Sequence, residues 1–311
     1  MRVLFVASHN KGSFAPFIVE QAKALEVKGC SVGFFGLQGK GFKGYLNNLS
    51  DLKQRIKVFR PDVVHAHYGL SGLLANFQRK APVVVTYHGS DINEPGVRRF
   101  SKMAMLLSSW NVFVSRKTME IARPKNHYSL LPCGIDMTEL QLVGKKEARR
   151  RMHLNESNCY VLFAGAFDNP VKNAPLAKEV MKLLGDDNAE LVELKGYSRE
   201  EVTLLMCAAD AFLMTSFSEG SPQVVKEAMA CGCPIVSVDV GDVGERTEGV
   251  DGCYVTTSSN AQELAVLLKK AVSFEGKTNG RDKLDADGLD NKNVAQQLIQ
   301  IYKRVVKSEN C

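Results

Sequence analysis

Several absences narrow the reading of this sequence. It holds no run of about 18 apolar residues, so no segment reads as a membrane-spanning helix. The apolar stretch at residues 3–7 is too brief for a signal-peptide core, and no small-residue cleavage pattern follows it. The eight cysteines are scattered, and the one close pair, Cys231-x-Cys233, lacks the second pair that a zinc site needs. Low-complexity segments and short repeats are missing. The loop after the first apolar run is no G-x-G-x-x-G fingerprint, which removes support for a nicotinamide dinucleotide. The basic residues are not interleaved with aromatics in a recognisable module, so nucleic acid is not the expected partner. The expectation is a cytoplasmic enzyme with free thiols.

The chain has 311 residues, 45% of them hydrophobic and 24% charged. That is enough for two domains, each with its own core. The net charge of +6 is unevenly spread: residues 1–140 carry 19 Lys/Arg against 9 Asp/Glu, and residues 141–311 carry 21 against 25. A basic half and a mildly acidic half suggest that the first half meets an anionic partner, nucleic acid or a membrane surface on charge alone.

Short apolar, β-branched runs alternate with helical patterns through most of the chain. Strands are expected over 3–7, 31–36, 62–66, 83–87, 111–114 and 129–131, and helices over 16–28, 43–59, 70–79 and 97–107. After a basic, Pro- and Gly-containing stretch at 132–152, read as linker and first helix, the rhythm resumes. Strands are expected over 160–164, 190–194, 211–214, 235–238 and 253–255, with helices over 174–184, 199–207, 222–231 and 261–272. A turn or short helix is expected at 243–247, a polar stretch at 275–290 and an amphipathic helix at 293–306. Such alternation predicts two doubly wound parallel α/β domains, 1–140 and 141–290, with the terminal helix in 291–311 packing back on the first. Two such sheets facing each other would bring their carboxyl ends to one cleft, where ligands of open α/β sheets bind.

The most informative stretch is SFSEGSPQVVKEAMACGCPIVS, residues 216–237. A strand runs into a glycine-containing loop, Ser221 is placed to cap a helix, and Pro222 suits its first position. The helix start offers free N–H groups and the positive dipole end to an anion. Glu219 and Glu227 flank it, and a carboxylate can accept hydrogen bonds from two neighbouring hydroxyls. A phosphate-and-polyol site and a capped surface helix with two solvated acids both fit this spacing.

These residues resemble the E-x7-E signature of the retaining glycosyltransferases of family 4, which have the GT-B fold of two Rossmann-like domains facing across a cleft. EGSP, KEAMACGCPIVS and VGDVGE at 240–245 strengthen the resemblance, which covers both halves. It implies that Glu219 lies against the donor sugar, that Glu227 binds ribose hydroxyls, and that Gly220, Ser221 and Pro222 meet the donor diphosphate. In VLFAGAFDNPVKN, residues 161–173, it implies donor contact for Gly165 and a leaving-group role for Lys172. The family's arginine after this glycine is replaced here by Ala166.

In the first half, VVVTYHGSD places His88 and Asp91 just past a strand, and His88 resembles the family's donor-proximal histidine. VVHAHYGLSG sets His65 and His67 on one face of another strand. His67 is expected on the acceptor side with Asp91, and His65 in packing. Gly12, in the first loop, stands where the family often has paired glycines near the donor phosphate. LLPCGID, residues 130–136, resembles the interdomain segment.

The implied activity is transfer of a sugar from a nucleotide-diphosphate donor to a carbohydrate or lipid-linked acceptor hydroxyl. Retention would follow from front-face substitution, without bound metal or other cofactor, in surface-polysaccharide or lipid-linked oligosaccharide synthesis. A cytoplasmic enzyme touching the anionic inner face of the membrane fits the charge split. The same fold serves sugar phosphorylases and nucleotide-sugar epimerases. Ala166, and the single strand unit at 189–202 between the lysine loop and the signature, also suit a catalytically silent nucleotide-sugar-binding subunit.

Overall fold

A computed structural model describes residues 1–309. The chain forms two compact units, Met1–Gly134 joined by the segment from Leu289 onward, and Ile135–Gly288. Each unit is a parallel-sheet, Rossmann-like α/β layer structure, as the alternation of apolar runs and helical patterns predicts.

The first unit is built on six parallel strands: β1 (Arg2–Ser8), β2 (Ser31–Leu37), β3 (Val63–His67), β4 (Val83–Tyr87), β5 (Trp110–Phe113) and β6 (Tyr128–Leu130). Their order is β2-β1-β3-β4-β5-β6. The order reverses direction between β1 and β3, and the carboxyl ends at such a switch point are where open α/β sheets bind ligands. Alternate strand residues serve two cores. Val3, Phe5, Val63 and Val84 pack with the Pro16–Val27 helix on one face, and Leu4, Val6, Val64 and Val85 pack with Leu52, Ile56 and Leu74 on the other. The helix Asn291–Glu309 completes the first core through Val294, Leu298, Ile301, Tyr302 and Val305, a helical stripe of buried side chains.

The second unit holds β7 (Cys159–Phe163), β8 (Ala189–Glu193), β9 (Ala211–Met214), β10 (Ile235–Val238) and β11 (Cys253–Thr256), in the order β11-β10-β9-β7-β8. Its switch point lies between β7 and β9. Val161, Phe163, Leu213 and Val236 pack against Leu176 and Val180 of one helix and Leu264 and Leu268 of another.

Three local features differ from the expected pattern. The helix expected over 43–59 is two helices, Gly41–Leu46 and Leu49–Phe59. At the break, the Asn48 side chain donates to the carbonyls of Gln38, Gly44 and Tyr45 and accepts from the Gln38 amide, competing with helical pairing. Helices at Ser90–Asn93 and Arg116–Ala122 were not expected, the latter started by the Ser115 hydroxyl accepting from the Thr118 amide. The polar stretch 275–290 contains the helix Gly280–Ala286, anchored by the fully buried Leu284.

Candidate functional site

The second-unit groups expected to hold the donor gather at the carboxyl ends of β7 and β9. Past β7 the chain runs through Gly165 to a single 3-10 turn, Pro170–Lys172, whose Val171 amide donates to Asn169 Oδ1. Thr215, just after β9, donates its hydroxyl to the carbonyls of Lys172 (2.9 Å) and Asn173 (3.0 Å), and the Phe217 amide donates to Val171 O. The lysine loop is thereby fastened to the start of the signature loop. Lys172 Nζ donates to Glu219 Oε1 at 2.7 Å, with both side chains 17% exposed. The aliphatic stem of Lys172 lies over Gly165, where a Cβ would come within 3.0 Å of its Cγ and Cε. Glycine is therefore the residue that leaves the lysine its slot.

The next four signature residues are arranged differently from the expected cap. The helix starts at Gln223, with Pro222 at the N-cap position (φ −67°, ψ 118°) and not at the first helical position. Ser221 does not cap, because its hydroxyl donates to Asp242 Oδ2 at 2.8 Å. The N-cap residue Pro222 offers no side-chain cap and the first turn holds no acid, so the positive end of the helix dipole favours an anion. Gly220 and Gly241 touch: a Cβ on Gly241, whose φ is +57°, would fall 2.5 Å from Gly220 O. Asp242 is buried and burial pushes its carboxyl up, opposed by Lys226, the Ser221 hydroxyl and Arg246. Arg246 in turn pairs with Asp242 at 3.5 Å, with Asp287 at 2.5 Å and with Glu245. Glu227, one turn into the helix, is half-buried; burial raises its carboxyl, and the charges of Arg199 and Lys226 act against that rise.

In the first unit, β3 and β4 bring three histidines into one stack. His65 and His67 rings lie 4.6 Å apart and His67 and His88 rings 5.3 Å apart. His65 is wholly buried, with Nδ1 at 2.5 Å from the Tyr302 hydroxyl and Nε2 at 2.7 Å from Thr86 Oγ1. Burial holds its pKa near about 3, so the ring is neutral. His67 is also wholly buried and is pushed well below the usual imidazole range by burial and by His65 and His88. Its Nδ1 lies 3.1 Å from His88 Nε2, and its Nε2 has no hydrogen-bond partner among the described residues. The His88 ring continues to Cys133, with Nδ1 3.8 Å from Sγ.

Two expected acceptor-side residues are corrected by these positions. His67 does not reach the surface; it touches His88 from beneath. Asp91 is also buried, and its carboxylate accepts from the amides of Gly69 (2.8 Å), His88 (3.0 Å) and Gly89 (3.0 Å). Both hold His88 in place. Among the residues expected on this side, His88 is the partly exposed one.

Beside the switch point lies a cavity of about 600 Å³ lined by Lys11, Ser13, Phe14, Tyr45, Tyr68 and Ser71. Gly12 sits in its rim loop with φ +76°, a conformation that glycine adopts without strain. The helix Pro16–Val27 begins here without a side-chain cap or first-turn acid, whereas the first amide of Gly69–Asn76 is met by the Asp91 carboxylate. Lys11 and the Pro16–Val27 helix start make the cavity favourable to negative charge. Tyr68 holds φ 72° and ψ 146°, a strained backbone for a non-glycine residue, and its ring lies 4.6 Å from that of His88. Sequence reasoning did not single out Tyr68, Cys133 or Asp242. A tyrosine before the glycine of YGL was the one local signal for the first, and long-range contacts define the other two.

The sequence matches two family models that divide it between them. Residues 7–139 match the model described as Glycosyltransferase Family 4, and residues 138–273 match that of Glycosyl transferases group 1. The chain belongs to the family 4 glycosyltransferases. The site residues, except the terminal-helix contact Tyr302 and Asp287, fall within the two matched spans. This glycosyltransferase is 29% identical over 250 residues to TuaC of Bacillus subtilis, a glycosyltransferase named for teichuronic acid biosynthesis, covering 71% of this chain and 64% of TuaC. The fold matches sucrose-phosphate synthase from Thermosynechococcus elongatus, at TM-score 0.82 and 15% identity over 99% of this chain and 100% of that one. It also matches HepE of Anabaena, solved in complex with UDP, at TM-score 0.72 and 17% identity over 98% of this chain and 100% of HepE.

Proposed function

We propose that this glycosyltransferase moves a sugar, with retention, from a nucleotide-diphosphate sugar to an acceptor hydroxyl in surface-polysaccharide or lipid-linked oligosaccharide synthesis. The observation that carries the reading is the Lys172–Glu219 pair at the β7/β9 switch point, with the Gln223–Cys231 helix starting in the same loop. Lys172 and the leading amides of the Gln223–Cys231 helix supply positive charge to the departing diphosphate as its charge develops. Glu219 holds Lys172 and faces donor hydroxyls, and Glu227 accepts from the ribose. The departing phosphate oxygen takes the acceptor's proton in the front-face substitution that the family resemblance implies. In the first unit, His88 is steadied by His67 and Asp91, and the cavity around Lys11 and Tyr68 receives the acceptor.

Three independent facts support this reading. UDP occupies HepE, which has the same fold. Teichuronic acid biosynthesis is what TuaC is named for. The basic first half suits an anionic membrane surface as the place of synthesis. Two fixed cationic elements take the work that a bound metal does elsewhere, so we assign no metal.

The test is a thermal-shift panel of nucleotides and nucleotide-sugars on the intact chain. A ligand near a hundred times its Kd stabilises the native state by about 2.7 kcal/mol, enough to raise Tm by several degrees. A response to one nucleotide-sugar, followed by transfer with unchanged anomeric configuration by NMR and full activity in chelator, is the expected outcome. No shift with any nucleotide sugar would remove the donor assignment.

A further inference from the structure

Away from the residues assigned above, the first unit carries a surface where apolar and basic side chains alternate with almost no acid. Residues 95–128 contain seven Lys/Arg and one Asp/Glu. On the helix Pro95–Leu107, Arg99, Lys102, Met103 and Leu106 recur at three- and four-residue spacing and so share one exposed face. Leu106 is 83% exposed, more than any other large hydrophobic side chain among the described residues. Leu107, Ile121 and Tyr128 are exposed nearby in sequence.

At the end of this helix lies a second cavity of about 400 Å³, lined by Lys102, Leu106, Ser108, Arg123, Lys125 and His127. Among the described residues none forms an ion pair with Lys102, Arg123 or Lys125. The cavity sits where β5 and β6 begin. His67 ends β3 and His88 follows β4, so the two places occupy opposite ends of the strands, separated by roughly 17 Å for a five-residue strand.

We infer that this face docks on an anionic bilayer, with a lipid phosphate headgroup in the Lys102–Arg123–Lys125 cavity and Leu106 and Met103 entering the acyl boundary. Charge selects the occupant's sign. The exposed leucine and methionine select a bilayer over nucleic acid, whose phosphate backbone offers no apolar partner for them. The inference rests on the proposed function only in taking a membrane surface as the place of synthesis. A docked face at the far end of the strands leaves the His88 end available to saccharide extending from the membrane.

Flotation of the intact chain with phosphatidylcholine vesicles, with and without phosphatidylglycerol, tests the inference. The wild-type chain floats with the anionic vesicles alone and is released by salt. Replacing all three cations (Lys102→Ser, Arg123→Ser, Lys125→Ser) lowers partitioning on the order of a hundredfold. Leu106→Ser lowers it on the order of tenfold and leaves the salt dependence unchanged. Circular dichroism and the nucleotide-sugar thermal shift, both unaltered in these surface variants, separate a lost docking face from a lost fold or donor site. Equal flotation with neutral vesicles, wild-type flotation by the triple variant, or binding only to inorganic phosphate or an oligonucleotide overturns it. If no nucleotide-sugar shifts Tm while flotation and its loss persist, the donor reading fails and the docking face stands.

Discussion

Lys172 Nζ meets Glu219 Oε1 at 2.7 Å across the switch point of the second sheet, and the lysine stem rests in a slot that exists because residue 165 has no Cβ. The pair links two loops that are 47 residues apart in sequence and fixes the direction of a positive charge.

The first prediction concerns that slot. Lys172→Ala should lower kcat by roughly 10²–10³, the usual loss when one fixed stabiliser of developing charge is removed. Gly165→Ala should push the lysine stem aside and lower kcat with a small change in Tm. Lys172→Arg should recover little, because a planar guanidinium does not fit a slot shaped for a narrow alkyl stem. Steady-state kinetics with parallel melting curves check this, and a fully active Gly165→Ala enzyme would refute the slot. A double-mutant cycle with Glu219→Ala should show coupling of about 0.5–3 kcal/mol in transition-state stabilisation.

The second prediction concerns Ser221 and Asp242. Ser221→Ala removes the 2.8 Å donor to a buried carboxylate that already has one oxygen, Oδ1, without a partner among the described residues. Leaving a buried group less satisfied costs about 1–3 kcal/mol. Urea unfolding should register that loss, together with weaker binding of the donor diphosphate as the EGSP loop loosens. Unchanged unfolding midpoints in both Ser221→Ala and Asp242→Asn would show that the bond contributes nothing.

Much of the fold was legible because its strands are short apolar runs separated by clear breaks, as in Val83–Tyr87 and Ile235–Val238, whose bounds coincide with the expected ones. What remained hidden depends on contacts distant in sequence. Ser221 has every local property of an N-cap, but Asp242, twenty-one residues on, takes its hydroxyl. His67 and Asp91 stand near strand ends, where residues either enter a ligand cavity or lie beneath it, and spacing alone does not give depth. The break at Asn48 and the short helix Gly280–Ala286 lack a long enough period to be read. Lys172 and Glu219 were legible individually, but their pairing was not.

The third prediction is a pH dependence carried by Asp91. Burial raises its carboxyl to about 6 from an ordinary value of 3.8, although four backbone amides, its own among them, act the other way. The folded state therefore holds this proton more tightly than the unfolded state. Its favourable contribution is fully present below about pH 3.8 and is lost as pH rises through about 6, by up to about 3 kcal/mol. Asp91→Asn turns a donor toward the Gly69 amide and should destabilise the fold by about 1–3 kcal/mol near pH 4. Because the variant has no group to titrate there, the stability gap to wild type should narrow between pH 4 and pH 6. Chemical denaturation across that range decides it; a gap that widens with pH reverses the sign and refutes the assignment.

The last prediction separates stability from activity at His67. This ring is wholly buried, is kept neutral by burial, and leaves Nε2 without a partner among the described residues, a state that costs about 1–3 kcal/mol of desolvation. A core residue selected for packing alone would not carry that cost. His67→Phe preserves a flat ring against Phe5 and His65 while removing both nitrogens, so the variant should unfold at equal or higher denaturant concentration than wild type. The same change deletes the 3.1 Å contact that fixes one nitrogen of His88, and with it the ring's tautomer. The kcat should fall about tenfold or more, and the pH–rate profile should change shape, because His88 is no longer confined to one proton arrangement. A variant that loses stability and keeps wild-type kcat and pH profile would make His67 a packing residue after all. Gain of stability with loss of rate would mark the stacked histidines as a site maintained at the expense of the core.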